Sequence, residues 1–217
     1  MYEVHALESK EIRKRKKKLA GQLDILKKGR VLVVGDVCLD EYLLGEVKRI
    51  SPEAPVPVVD VQSQEKRLGL AANVAQNVVS LGGQCRLIGV VGNDTTREEL
   101  TEILDKAGVS SQHLIVDPSR PTTRKTRIMA GNHHITRVDF EQRKFLSESA
   151  EREMLAKVNE LLPEVDIVVI EDYAKGVFSY NATQQIIEQA QVLGKKVAVD
   201  PHRTTPIKYY RGADIFK

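Results

Sequence analysis

The chain has 217 residues and a formal net charge of +3, with 41% hydrophobic and 29% charged residues, the balance of a globular core with a charged surface rather than of a disordered or fibrous chain. No apolar run approaches the roughly 18 residues that cross a bilayer, and the first segment has neither an apolar signal core nor a small-residue cleavage site, so membrane insertion and secretion are not expected and a cytoplasmic protein is. Cys38 and Cys85 lie far apart and lack metal-ligand spacing, which argues against a disulfide framework or a zinc site.

The first thirty residues hold ten Lys or Arg against four Asp or Glu, so the positive surplus sits in this arm and the rest of the chain is net negative. A generally basic fold of the kind that coats nucleic acid is not described, and no nucleic-acid partner is expected. Ile12, Leu19, Leu23 and Leu26 fall near a helical stripe and Gly29 suits a helix end, which predicts a helix within residues 1–29 packed by one edge. Arg13 to Lys18 surround most of that helix with charge. They read as a solvated face; contact with nucleic acid or a membrane surface is the alternative that a charge run leaves open.

Beyond Gly29, VLVVG from Val31 to Gly35 is a β-branched run suited to burial on both faces of a parallel sheet. The prolines between Ser51 and Pro57 would deny ladder hydrogen bonds to a central strand and favour an edge or a projecting flap. Leu70 to Leu81 reads as a helix whose Ala71, Ala72 and Ala75 permit close approach to the sheet, ended by Gly82 and Gly83. A strand near Arg86 to Val91 and a helix near Thr95 to Ala107 follow. Arg124 to Phe140 is a strand pair around a Gly131-Asn132 turn. A helix near Ala150 to Leu162, the strand DIVVI ending at Ile170, a helix near Asn181 to Leu193 and the strand KVAVD complete an alternating order. The pattern is α/β with an inserted β element.

In open parallel sheets the chemistry gathers at the carboxyl ends of the strands. Asp36 and Asp40 follow the first strand, Asn93 and Asp94 the third, Glu171 and Asp172 follow DIVVI, and Asp200 ends KVAVD. Each of these also suits a helix cap or a turn, but their recurrence on four strands points to a polar ligand site. Lys175-Gly176 would add a positive charge and a flexible backbone for phosphate. The chain has no GxxxxGK[ST], no GxGxxG at the first βα turn and no GxSxG, which disfavours a P-loop enzyme, a dinucleotide dehydrogenase or a serine hydrolase. The adjacent His133 and His134 would point to opposite faces of a strand.

These residues resemble the ribokinase-like (PfkB) carbohydrate kinases, and within them the D-glycero-β-D-manno-heptose-7-phosphate kinases of lipopolysaccharide precursor (ADP-heptose) synthesis. The resemblance is carried by GDVCLDEY (Gly35 to Tyr42), RISPEAPVPVV (Arg49 to Val59), GLAANVAQNVVSLG (Gly69 to Gly82) and GVVGND (Gly89 to Asp94). It continues through PTTRKTRI (Pro121 to Ile128), TRVDFE (Thr136 to Glu141), EDYAKGV (Glu171 to Val177) and VDP (Val199 to Pro201). It implies a ribokinase-like three-layer α/β sandwich over residues 30–217, incomplete at its carboxyl end, with lid segments at about 42–61 and 124–140 and a homodimer clasped through the lid.

The resemblance further implies that Asp36 binds sugar hydroxyls and that Asn73 lines the same pocket, with Asp40, Gly69, Asp172 and Lys175 also in the substrate site. A carboxylate suits hydroxyls because it accepts two directed hydrogen bonds. Lys125, Arg127 and Arg137 are the expected partners of the substrate's 7-phosphate, or else surface salt bridges of the lid. ATP and Mg2+ are implied as cofactors. The family's Asn-x-x-Glu segment and its Gly-Ala-Gly-Asp motif, source of the catalytic aspartate and the anion hole, would fall beyond Lys217. Loss of both implies a truncated kinase. A catalytically silent sugar-phosphate binder, a subunit completed by a separately encoded carboxyl-terminal fragment, and a nonfunctional remnant are the alternatives. Two departures stand inside the matched segments, Leu70 in place of a second glycine after Gly69 and His202 in place of a lysine after Asp-Pro. An unpaired sheet edge is expected after KVAVD.

Overall fold

The computed structural model describes residues 2–217. A parallel sheet forms its frame, built from β1 (Arg30–Gly35), β4 (Gln84–Val91), β5 (Ile115–Val116), β8 (Ile167–Glu171), β9 (Lys196–Asp200) and β10 (Ile215–Phe216) in the spatial order β10-β9-β8-β1-β4-β5. Alternation along β1 sends its side chains to two layers. Leu32 and Val34 enter a core with Met154 of α4 (Glu148–Leu161) and Ile186 of α5 (Tyr180–Val192), while Val33 enters a second core with Ala71 and Ala75 of α2 (Ala71–Ser80) and Leu100 and Leu104 of α3 (Thr95–Lys106). Burial of each such aliphatic side chain contributes about 1.5–3 kcal/mol, which is why a run apolar at every position settles at the centre of the sheet. The result is the predicted α/β sandwich with helices on both faces.

Short polar side chains start three of the helices. Asp94 accepts from the Arg97 N–H of α3, Ser147 from Ala150 of α4 and Ser179 from Ala182 of α5, each satisfying a donor that the first helical turn leaves open. For Asp94 the helix-cap alternative is therefore the one realised.

The inserted element is a second sheet, ordered β3-β2-β6-β7, of β2 (Val37–Ile50), β3 (Pro57–Leu70), β6 (Arg124–Ala130) and β7 (His133–Phe140). Its first hairpin is longer than the segment 42–61. β2 begins directly after Asp36 and β3 runs into α2, because the two strands stay paired from Val37↔Leu70 to Ile50↔Pro57, with irregularities between Leu44 and Gly45 and between Val47 and Arg49. The proline segment forms the turn between them, and β3 is one of the two edge strands, β7 the other.

Two expectations are corrected. KVAVD, as β9, is not an edge, since β10 pairs with it in parallel through Ile215↔Ala198 and Phe216↔Val199. The amino-terminal helix α1 (Tyr2–Leu26) forms, but its described apolar residues do not pack: Ile12 is 52% and Leu19 61% exposed. The side chains of Leu23 and Leu26 lie outside the described residues. The charges at Arg13 to Lys18 wrap the helix and interrupt the apolar stripe that docking would need. No helix among the described residues is long and apolar enough to cross a membrane.

Candidate functional site

The carboxyl ends of β1 and β8 meet at Asp36, which is 2% exposed. Its Oδ2 accepts the backbone N–H groups of Tyr173 (2.8 Å) and Lys175 (3.2 Å), so this carboxylate pins the loop that follows β8. Its Oδ1 is buried without a hydrogen-bond partner among the described residues. Burial pushes the carboxyl up to about 6, against the two amide bonds that favour its charged form, with Asp172 nearby adding to the rise. One oxygen is thus committed to the fold and the other is open to a donor.

The loop itself is held from beneath. Asp172 accepts from the Ala174 N–H (2.7 Å), the Thr205 hydroxyl (2.8 Å) and the Tyr210 hydroxyl, which ties the loop after β8 to the one after β9. Lys175 is buried and its ammonium lies 2.5 Å from Glu141, the residue after β7. Buried Arg120 donates to the carbonyls of Lys175 (3.1 Å) and Lys144 and sits 3.6 Å from Asp117. Asp172 and Lys175, expected as ligand contacts, are both engaged with protein partners. Next door, Glu171 and Asp200 face each other in the register of β8 and β9, and burial together with Asp200 pushes Glu171 up to about 7. Asp200 is paired with Lys217 at 2.6 Å. Lys144, Asp172, Ala174, Thr204, Thr205 and Tyr209 line part of a cavity of about 270 Å³ beside this loop.

A second cluster lies on the inserted sheet. In its register Asp40 stands opposite Arg67 and Lys125, Tyr42 opposite Glu65 and Arg127, Arg137 opposite Arg127, and Asp139 opposite Lys125. Direct partners and every second residue share one face, so all of these project together. The other face carries Leu39 and Leu68 into the core, and Lys66 to Glu99 of α3 at 2.7 Å. On the polar face Arg127 donates to Asp40 at 2.7 Å. Gly69 is fixed by close approach, because a Cβ there would stand 2.7 Å from Asp40 Oδ2. Leu70, next in the chain, takes φ 56° and ψ −133°, a left-handed backbone that side chains disfavour.

The expected residues therefore fall into two groups. Asp40, Gly69, Lys125, Arg127 and Arg137 share the lid face, whereas Asp172 and Lys175 lie in the loop after β8 that Asp36, at the end of β1, pins. Asn73 is exposed on the first turn of α2 and makes no side-chain hydrogen bond among the described residues. His202 bonds Thr204 through Nδ1 at 2.8 Å. Arg67, Tyr42, Arg120 and Glu141 were not singled out from the sequence. The signal for the first two was alternation with Asp40 and Gly69; the last two act through contacts 55 and 34 positions away, to Lys175, which no local pattern encodes. Among the described residues no group of three or more His, Cys, Asp or Glu is placed to hold a metal ion, so no step through Mg2+ is derived.

Residues 28–217 match the family described as pfkB family carbohydrate kinase. The chain is 43% identical over 185 residues to the bifunctional protein HldE of Wolinella succinogenes, covering 85% of this chain and 39% of that protein. It is 45% identical over 187 residues to the bifunctional protein HldE of Caulobacter sp. strain K31, covering 86% of this chain and 38% of that one. It thus spans less than two fifths of the length of these relatives. Among solved structures it is similar to Arabidopsis thaliana ribokinase complexed with ribose and ATP, with a TM-score of 0.63, 17% identity, and coverage of 87% of this chain and 59% of that one. The inserted sheet over the parallel sandwich is the ribokinase-like fold.

Proposed function

The chain belongs to the pfkB family of carbohydrate kinases, and from that premise we propose that it binds a sugar phosphate, D-glycero-β-D-manno-heptose 7-phosphate, as the acceptor of a phosphoryl group that ATP would donate to the anomeric hydroxyl. The observation that carries this reading is the lid face on which Lys125, Arg127 and Arg137 stand with Asp40. Fixed cations suit a phosphate dianion, and a carboxylate suits sugar hydroxyls. Asp36 Oδ1, left without a partner, is a second acceptor for a hydroxyl at the strand ends. The heptose kinase assignment is supported by similarity to the bifunctional relatives, and ATP as donor by family membership.

The 217 residues contain no Gly-Ala-Gly-Asp segment, so a base for the attacking hydroxyl is not assigned within them. Phosphoryl transfer depends on positioning and on charge stabilisation at the transferred group. The proposed role of these residues is therefore to hold and orient the acceptor, with transfer needing a carboxyl-terminal portion of the fold, in the same protein or separately encoded. A second copy of the chain is the proposed partner of the lid, where Val47, Ile135, Val138 and Phe140 are exposed.

Calorimetric titration of the chain with the heptose 7-phosphate tests this reading, with Asp40→Ala and Lys125→Ala as comparisons. Binding by the parent, weakened at least about tenfold in each variant, is the expected result. Absence of binding, or equal binding by all three proteins, would remove the proposal. Transfer from ATP is then assayed with and without a separately produced carboxyl-terminal fragment, and activity only on mixing would support a split enzyme.

A further inference from the structure

On the polar face of the lid, Tyr42 of β2 is flanked by arginines from the strands on its two sides. The guanidinium carbon of Arg67, from β3, lies 4.9 Å from the ring centroid, and that of Arg127, from β6, lies 5.2 Å from it. Each guanidinium also has its own carboxylate, Glu65 for Arg67 at 2.6 Å and Asp40 for Arg127 at 2.7 Å. One aromatic ring thus gathers two like charges that would otherwise separate. A π face attracts each cation and leaves the N–H edges pointing away from the ring, available to a further acceptor. Lys125 shares this face and belongs to none of the ion pairs formed among the described residues.

We propose that Arg67 is a further phosphate-contacting residue of the lid and that Tyr42 is the positioning residue that sets Arg67 and Arg127 as a two-guanidinium fork for the phosphate group of the acceptor. The inference rests on the sugar-phosphate reading above and adds to it the residues that select the phosphorylated over the unphosphorylated sugar. Glu65 and Asp40 hold the fork in the absence of ligand. An incoming dianion takes over the N–H groups that point outward, and guanidinium suits that exchange because its five donors are fixed in one plane. Arg67 is well exposed, with 62% of its side-chain surface open, so its replacement leaves the fold intact.

The test is calorimetric titration of the full chain and its variants with D-glycero-β-D-manno-heptose 7-phosphate and, separately, with the unphosphorylated heptose. Arg67→Ala and Tyr42→Leu are expected to weaken binding of the 7-phosphate about 10- to 100-fold and to leave binding of the heptose unchanged. Tyr42→Phe keeps the ring and is expected to bind as the parent. Arg67→Lys keeps the charge without the fork and is expected to recover only part of the loss. Parent-like binding by Arg67→Ala and Tyr42→Leu, where Lys125→Ala loses affinity, would overturn this inference and leave the sugar-phosphate reading standing. Equal weakening for both sugars would show a structural role and would also overturn it. If the parent does not prefer the phosphorylated sugar, both readings fall together.

Discussion

Asp36 joins folding and function in one side chain, since the carboxylate that anchors two amides also leaves an open oxygen. Its carboxyl rises from 3.8 in the unfolded chain to about 6 when folded, and Glu171 from 4.5 to about 7. Both therefore hold a proton more tightly in the folded protein. Their stabilising contribution is complete below the unfolded values and is lost as pH rises through the folded ones. For Asp36 the whole titration is on the order of 3 kcal/mol. Between about pH 5 and 7.5 the urea midpoint is expected to fall more steeply in the parent than in Asp36→Asn, a comparison in which the opposite contribution of His113, held low by burial, cancels; equal pH dependence of the two proteins would refute this. The Lys175–Glu141 pair makes a second test. Glu141→Gln strands a buried ammonium and is expected to cost about 3–5 kcal/mol. Lys175→Met removes that charge, and Arg143 still pairs with Glu141 at 2.9 Å, so its cost in denaturant unfolding is expected to be smaller. The reverse order would contradict the account.

Where lid strand β3 passes into α2, the backbone turns through Leu70 in a left-handed conformation. Such strain costs on the order of 1–3 kcal/mol, more than the roughly 0.5–1 kcal/mol by which glycine loosens the unfolded chain. Leu70→Gly is expected to raise the urea midpoint, and Leu70→Ala, which keeps the Cβ, is not; equal effects of the two would show that backbone strain at Leu70 does not limit stability. Elements whose burial is continuous were legible in the sequence. VLVVG declared β1, and the small face of Ala71, Ala72 and Ala75 declared α2. The full length of β2 and β3 was not legible, because Asp40, Glu41, Lys66 and Arg67 interrupt the apolar alternation on both faces; Asp40 and Arg67 stand on the face of the site, while Glu41 and Lys66 lie on the opposite face, where Lys66 pairs with Glu99 of α3. β5 and β10 are two residues each, too short to carry a period. At the strand ends, the sequence placed Asp36, Asp94 and Asp172 on one rim but could not divide their labour. Asp94 starts a helix and Asp172 clamps two loops, through partners such as Thr205 and Tyr210 that lie 33 and 38 positions away.

The molecule as a whole is a parallel sandwich that pins the loop after β8 and carries an inserted sheet with one charged face and one mixed face, on which Leu39 and Leu68 enter the core and Lys66 pairs with Glu99. Such a sheet, with Ile135 and Val138 partly open to solvent, is expected to pair with its copy. Light scattering should give the mass of a dimer for the parent and of a monomer for Val138→Glu, and a monomeric parent would overturn that expectation. In the proposed reading the charged face receives the phosphate of the acceptor sugar. A crystal structure of the chain with D-glycero-β-D-manno-heptose 7-phosphate examines it most directly. The phosphate is expected within hydrogen-bonding reach of Lys125 and Arg127, and a sugar hydroxyl on Asp40. A phosphate seated instead beside Lys144 and Thr205, in the cavity next to the loop after β8, would contradict it.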